Sequence, residues 1–317
     1  MFLLNLKKSA IALSFILFAV SFNFAQETAD LSTILQNANL QTQKYADEFK
    51  NLLADETKTF ETFDKNGNGK KRTVIESNFI VLQSEKSGNV TTEYRSVRKV
   101  DGKEVGDIDK RTADLFEQIA KAKSPSEELE RIQKESSRYD KNLEISGFTL
   151  IQAPILDDSL RQFFEFTQIG NETINGRNVI IIGYRQTKTS PNILINQKNN
   201  SATGLSLNLE VDLPDSFKKS DVVLRGKLWI DAKTYQIWRE EREIVAEKEG
   251  NSLVLQKTDF EYQSSDYEIL VPKQINLIEN NIKKNDNKLA ETKSQSVNFQ
   301  YSRFRKSNVD VQILDDN

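Results

Sequence analysis

The feature that most constrains this chain is a series of strand patterns, separated by short turns, that fills the sequence after residue 146. The segments DVVLRGKLWID, YQIWREEREIV and SLVLQKTDFEYQ are rich in β-branched and aromatic residues, and the short stretches AKT and EKEGN join them. Connections this short join antiparallel neighbours, because parallel strands need a crossover of a dozen or more residues. The pattern predicts a large antiparallel sheet, curved or closed, with helices attached.

Strand patterns also fill the region before residue 105. TKTFETF, TVIESNFIVLQ and NVTTEYRSVRKV read as a meander that ends in a turn at Asp101–Gly102. Further on, Asn175–Gly176 suits a two-residue type I′ hairpin, since both central residues need a positive φ. Residues 187–220 are polar and predict a long loop or a ragged hairpin.

Helical patterns occupy two regions. Apolar residues recur at three- and four-residue spacing from Asp30 to about Ala54, with Asp30 in the N-cap position. Residues 111–139 form a helical insert of two short helices. The second helix starts with Ser124 as N-cap and Glu127 completing a capping box. It is polar on most faces, which predicts a position at the surface.

The N-terminus has the pattern of a secretory signal peptide, residues 1–25, which leaves residues 26–317 as a single β-rich domain. Two lysines precede the apolar run SAIALSFILFAVSF, which is shorter than the roughly 20 residues that span a bilayer. Cleavage after Ser21 or after Ala25 fits the pattern, and an uncleaved anchor is the alternative. A lipoprotein would need a lipidated cysteine, and the chain has no cysteine. The mature chain is therefore expected in the periplasm or outside the cell, without a transmembrane helix.

Composition excludes several kinds of chemistry. The 317 residues include no histidine and no cysteine, which removes Ser-His-Asp and Cys-His arrangements and the imidazole ligands of most catalytic zinc sites. The net charge is −3 and the charges are mixed along the chain, so no nucleic-acid partner is expected. No motif for a cofactor is present, and we expect none.

The stretch DKNGNGKKRTVIE begins like an EF-hand calcium loop, with Asp64, Asn66, Asn68 and Gly69 at positions 1, 3, 5 and 6. Position 12, which needs a bidentate glutamate, is Ile75, and three basic residues at positions 7 to 9 would repel a cation. The flanks are strand-like, and Asn-Gly-Asn-Gly is a strong turn signal. The stretch therefore predicts a hairpin turn, and no metal site is expected.

Other candidate catalytic residues carry weak signals. The SxxK tetrads Ser96–Lys99 and Ser216–Lys219 lack the accompanying elements of penicillin-recognising enzymes and are interpreted as chance matches. The carboxylate pair Asp157–Asp158 is expected in a turn or helix start. Glu240–Glu241 is expected to face solvent from an alternating strand. No catalytic residue is assigned.

The tryptophans Trp229 and Trp238 lie on adjacent predicted strands, where aromatic pairs usually form core packing. Lining of a lipid cavity is the alternative for these rings. No ligand-binding residue is assigned from the sequence.

The segment GKLWIDAKTYQIWREE resembles the hairpin common in exported LolA/LolB-like proteins. GNETINGRNVIIIGYR and EILVPKQINLIE resemble the sheet segments that flank it, and the region with KYADEF, RTADLFEQI and ESSRY is similar to a group of exported bacterial proteins. These matches touch most of residues 30–305. The resemblance implies an α+β, mainly β fold: a curved antiparallel half-barrel with an N-terminal helix and a helical insert covering its concave face.

In the well-studied members of that superfamily, the concave side holds acyl chains of lipoproteins or other lipids. The resemblance thus implies noncatalytic binding of a lipid or a lipoprotein acyl group in a concave cavity. The first alternative is a structural or protein-binding envelope module without a ligand. The second is a hydrolase with a carboxylate pair, the common acid–base chemistry that needs neither histidine nor cysteine.

Overall fold

The computed structural model describes residues 30–83, 91–140, 149–196, 205–285 and 288–306. The strands are β1 (Leu52–Phe63), β2 (Gly69–Gln83), β3 (Thr91–Val100), β4 (Lys103–Glu104), β5 (Phe164–Ile174), β6 (Arg177–Gln186), β7 (Ile193–Ile195), β8 (Leu207–Leu209), β9 (Val222–Asp231), β10 (Ile237–Lys248), β11 (Asn251–Ser264), β12 (Leu270–Asn285) and β13 (Lys288–Lys306). The helices are α1 (Leu31–Phe49), α2 (Ile108–Ala120), α3 (Pro125–Ser136) and α4 (Asp158–Arg161), with 3₁₀ turns at Pro154–Leu156 and Lys219–Asp221.

Eleven strands form one antiparallel sheet in the order β4-β3-β2-β1-β13-β12-β11-β10-β9-β6-β5. β1 pairs with β13, so the first and last strands lie side by side and join the N-terminal meander to the C-terminal one. Bulges interrupt most of the strand pairings, and bulges bend strands and increase their twist. The sheet is a curved half-barrel, which confirms the predicted mainly β, α+β fold class.

Helix α1 begins as predicted. Asp30 caps it, and its Oδ1 accepts a hydrogen bond from the Thr33 amide at 2.8 Å. The helix ends at Phe49 and not near Ala54, so the predicted C-terminus is wrong. Leu52 and Ala54 continue the apolar spacing because they are inward-facing residues of β1.

Two apolar clusters fill the space between the helices and the concave face of the sheet, which we call the covered face. The first cluster joins the N-terminal half of α1, the turn at Pro154–Leu156 and α4 to β6, β9, β10 and β11. The second joins the C-terminal half of α1 to β1, β2, β11, β12 and β13. Most of the core therefore lies on this one face, and α1 spans both clusters.

The helical insert forms α2 and α3, as predicted, and lies against the edge of β3. Strand β4 pairs with β3 only at Lys99 and Val100, which leaves the rest of that edge to the insert. Ser124 caps α3 as expected, accepting a hydrogen bond from the Glu127 amide at 3.2 Å. The Glu127 carboxylate accepts a hydrogen bond from the amide of Lys123, one residue before the cap.

The 187–220 region departs from its prediction. Ile193–Ile195 pairs with Leu207–Leu209 in parallel, so a hairpin is wrong for these segments. Both segments place alternate residues in the first apolar cluster, which holds them beside the sheet. The predicted signal peptide, residues 1–25, lies outside the described residues. Within the described ranges, no helix combines the length and apolar character needed to cross a membrane.

Candidate functional site

Five charged side chains are buried together on the covered face, and we call them the charged cluster (Glu56, Lys58, Glu93, Arg95 and Asp140). Glu56 and Lys58 lie two residues apart on β1, and Glu93 and Arg95 two residues apart on β3, so each pair projects from one face of its strand. The arginine reaches across β2 to contact β1. Burial of charges at this density requires close pairing.

Arg95 is neutralised by two carboxylates of the sheet. Its Nε lies 2.9 and 3.0 Å from the two carboxylate oxygens of Glu56, and its Nη2 lies 2.9 Å from Glu93 Oε2. Glu93 Oε1 also accepts hydrogen bonds from the amide and hydroxyl of Thr149, at 2.8 and 2.7 Å. Burial alone would raise the pKa of Glu93, but Arg95 and Thr149 together hold it below its usual value.

Lys58 is paired with Asp140, which follows α3 and comes from outside the sheet. Its Nζ lies 2.5 and 2.7 Å from the two Asp140 oxygens, and the two side chains are 1% and 4% exposed. Burial, and then the nearby Arg95, lower the pKa of Lys58, while burial raises the pKa of Asp140. Both shifts favour the neutral forms, so removing these two groups from water costs free energy that their attraction only partly offsets.

Aromatic rings surround the two cations. Lys58 Nζ lies 5.0 Å from the ring centroid of Phe60 and 5.7 Å from that of Phe299. The guanidinium carbon of Arg95 lies 5.4 Å from the centroid of Phe79 and 5.6 Å from that of Phe299. Phe299 thus contacts both cations, in the range of cation–π attraction. This part of the covered face therefore combines aromatic rings with two cations and three carboxylates.

Backbone groups at the edge of β3 are bound by the insert. Ser136 Oγ accepts a hydrogen bond from the Arg95 amide at 3.2 Å and donates to the Glu93 carbonyl oxygen at 3.3 Å. Arg111 of α2 donates to the Val97 carbonyl oxygen at 3.1 Å. The insert therefore closes this edge, and Asp140 continues from it onto the covered face.

A second buried ion pair corrects one prediction. Glu240 was expected to face solvent, but its side chain is fully buried on the covered face. Glu240 Oε1 accepts hydrogen bonds from Arg242 at 2.9 and 2.6 Å, and Oε2 accepts one from the Ala153 amide at 3.1 Å. Its neighbour Glu241 points to the opposite face, where it accepts a hydrogen bond from Lys257 at 2.7 Å. The prediction that this pair faces solvent is therefore wrong for Glu240, because the segment before the Pro154–Leu156 turn covers its face of the strand.

The calcium-like stretch forms the turn between β1 and β2, as predicted. Asp64 Oδ1 accepts hydrogen bonds from the amides of Asn66 and Asn68, at 2.8 and 2.9 Å. These bonds, from Asn68 first, lower the pKa of Asp64. Asp64, which would be the first ligand of a calcium loop, thus binds backbone amides of its own turn.

The remaining sequence candidates are structural. Trp229 and Trp238 are buried in the second apolar cluster, as predicted. Asp157 caps α4 through the Ser159 amide at 2.9 Å, as expected for a helix start. In the described part of the chain, neither SxxK serine has a hydrogen bond to its lysine.

The covered face around the charged cluster is filled by the protein's own side chains. A cavity beside it, lined by Phe60, Thr73, Tyr139 and Gln295, measures about 20 Å³, which is room for one water molecule. A wider groove of about 600 Å³ lies on the opposite face and is mostly polar. The buried carboxylates Glu56, Glu93, Asp140 and Glu240 each lie within ion-pair distance of a lysine or arginine.

A curved half-barrel with one apolar, helix-covered face is the architecture that the resemblance to LolA/LolB-like proteins implies. No protein-family model matches the chain, and no curated protein matches it. Among solved structures, it is similar to an outer membrane lipoprotein-sorting protein domain from Vibrio parahaemolyticus (10% identity, 88% of this chain and 94% of that one, TM-score 0.35). It is also similar to a DUF1329 family protein from Desulfovibrio piger (10%, 89% and 94%, TM-score 0.36) and to a LolA superfamily protein from Nitrosomonas europaea (8%, 88% and 94%, TM-score 0.28).

Proposed function

We propose that the chain is an exported, noncatalytic binding protein that holds an amphiphile, such as a lipid or a lipoprotein acyl group, on the covered face. The observation that supports this proposal is a broad apolar face whose edge at β3 is closed by a weakly anchored insert. The apolar anchor of α2 and α3 consists of Tyr94, Leu115 and Ile132, with three partly buried neighbours. The two clusters under α1 are many times larger.

Because this apolar anchor is small, we expect the insert to separate from the edge of β3 before the rest of the core opens. Burial of one such side chain contributes roughly 1.5–3 kcal/mol, and elements with few buried contacts open before the core does. Tyr139, which follows α3, packs against the second apolar cluster and lines the small cavity beside Phe60. Movement of the end of α3 would therefore uncover Phe60 from the side, and an acyl chain can enter there while α1 stays in place.

Export is part of the same proposal. The signal-peptide pattern of residues 1–25 supports it, with residues 26–317 as the mature domain in the periplasm or outside the cell. N-terminal sequencing of the chain from an envelope fraction would test it. A start at Phe22 or Gln26 is expected, since these residues follow the two candidate cleavage sites, and a chain that retains Met1 would contradict it.

The binding test is native mass spectrometry of the mature protein purified from an envelope fraction, with organic extraction of bound material. A stoichiometric lipid is the expected result. A clean apo mass, together with no uptake of a fluorescent fatty acid, would overturn the proposal. Ile132→Ala should speed uptake by loosening the insert, while Ile278→Ala, a matched deletion on the opposite face, should leave it unchanged.

A second candidate function, a protein-binding envelope module, is favoured by strand β5. This edge strand runs over 11 residues with a pairing partner only on the β6 side, and its Ile169 is 52% exposed. Exposed edges of this kind can bind an extended segment of a partner as an added strand. A photo-crosslinker at position 169 should give a discrete adduct in an envelope extract if this function holds, and its absence would count against it.

A further inference from the structure

We infer that the charged cluster is a headgroup site for an amphiphile with an anionic head, a carboxylate or a phosphate, which binds Lys58 in place of Asp140. This inference rests on the proposed function and adds the chemical class of the ligand. In the closed form described above, the chain supplies its own carboxylate to the site.

Asp140 is the replaceable member of the cluster. Arg95 already has two carboxylate partners, Glu56 and Glu93, and all three belong to sheet strands. The counter-ion of Lys58 is Asp140, which comes from outside the sheet. Both carboxylate oxygens of Asp140 accept hydrogen bonds from the Lys58 Nζ. When the end of α3 moves away, Arg95 therefore keeps both of its carboxylate contacts, whereas Lys58 loses the two oxygens that now bind its ammonium group.

The unpaired Lys58 would then select the ligand. An incoming carboxylate or phosphate restores the hydrogen bonds and the close ion pair that Lys58 now makes with Asp140. A neutral head leaves the partly buried ammonium group of Lys58 without an ion-pair partner, and a cationic head is repelled by that ammonium group at contact distance. The rings of Phe60 and Phe299, 5.0 and 5.7 Å from the ammonium, give the first methylene groups of the chain an apolar surface.

The test compares four C12 ligands on the wild-type mature protein, by competition with a bound fluorescent fatty acid: dodecanoate, dodecyl phosphate, dodecanol and dodecyltrimethylammonium. Both anions should bind about tenfold more tightly than dodecanol, and the cation most weakly. The stronger of the two anions identifies the natural head as that of a fatty acid or of a phosphate lipid. This series needs no variant, so a folding defect cannot obscure it.

Variants then assign the preference to the site. Lys58→Met should remove most of the anion advantage, whereas Lys227→Met, on the opposite face and 44% exposed, should keep it. Asp140→Asn should tighten dodecanoate binding by about tenfold and leave dodecanol unchanged, because the competing carboxylate loses its charge.

The outcomes separate the two proposals. Equal binding of all four ligands to the wild type would overturn the headgroup inference and leave amphiphile binding intact. Binding of none of them would overturn both. An anion advantage that survives Lys58→Met would place the headgroup elsewhere and also overturn the inference.

Discussion

Arg95→Met is the substitution that tests the charged cluster most directly. It removes the single cation that neutralises both Glu56 and Glu93, while methionine keeps much of the buried stem length. Removing one partner of a buried ion pair costs about 3–5 kcal/mol, because an uncompensated charge stays behind. Since Arg95 serves two carboxylates with side chains that are almost fully buried, we expect a loss near the upper end of that range.

The loss should depend on pH in a defined direction. The folded-state pKa of Glu93 is depressed, so its contribution is present above the unfolded pKa of about 4.3 and disappears as pH falls through the folded value. In Arg95→Met, Glu93 is buried without its cation, so its folded-state pKa should lie above the unfolded one. That variant should therefore lose stability as pH rises. The difference in the free energy of unfolding between wild type and variant should therefore increase between about pH 4 and pH 7.

Urea unfolding followed by tryptophan fluorescence would measure both effects, because Trp229 and Trp238 are buried. The matched control is Arg72→Met, whose partner Glu61 lies 3.6 Å away in an exposed pair. Its cost should be about 0–1 kcal/mol. A triple variant that also carries Glu56→Gln and Glu93→Gln should recover most of the loss, since no buried charge is left unpaired. A cost no larger than that of Arg72→Met, or a gap unchanged between pH 4 and pH 7, would refute this reasoning.

Three further predictions concern the insert and the sheet. Ile132→Ala should raise amide hydrogen exchange throughout α2 and α3 while β12 keeps its protection, because it deletes the centre of the small anchor. Ser124→Ala should cost about 1 kcal/mol and speed exchange in the first turn of α3, through loss of the N-cap. Gly226→Ala should sharply lower the melting temperature, because its β-carbon would overlap the carbonyl oxygen of Glu241, whereas Gly69→Ala, with open space at that position, should have little effect. Equal melting temperatures for the two alanine variants would contradict the last prediction.

Local turn chemistry made much of the fold predictable. Asn175 and Gly176 have φ values of 51° and 75°, as a type I′ hairpin requires. In the β9–β10 hairpin, Asp231 Oδ1 accepts hydrogen bonds from the amides of Lys233 and Thr234, at 2.8 and 2.9 Å. Signals of this kind involve residues two or three apart, so they are readable without knowledge of the tertiary structure.

The position of Glu240 shows what such signals leave out. The sequence predicted that both Glu240 and Glu241 face solvent, but strand geometry places their side chains on opposite faces, and the pattern does not tell which face another segment will cover. The covering group is the amide of Ala153, 87 residues earlier in the chain, where the backbone adopts a positive φ of 40°. A contact at this sequence distance depends on how the whole sheet curves.

The charged cluster was missed although the sequence carries a signal for it. Glu56 and Lys58 alternate in phase with Phe60 on β1, and Glu93 and Arg95 alternate in phase with an apolar residue on β3. Charged residues that share a strand face with apolar ones are candidates for burial, and two such strands with opposite charges suggest pairing. The partner Asp140 could not be found this way, because it lies outside any periodic segment.

Polar docking of the insert explains how a filled face can still admit a ligand. A lid that is held by apolar contacts alone loses about 25 cal/mol of stabilisation for each Å² of apolar surface that opening exposes, and hydration of that surface does not offset the loss. Here the insert is held largely by the Lys58–Asp140 pair and by hydrogen bonds to the edge of β3, and water solvates these groups well once they separate. The directions of the Lys58 and Asp140 pKa shifts show that burial disfavours both charges, so hydration on opening offsets part of the lost attraction. Under the proposed headgroup site, seating of the insert and binding of an anionic head would be alternative ways to pair Lys58, and ligand binding would then be coupled to release of the insert.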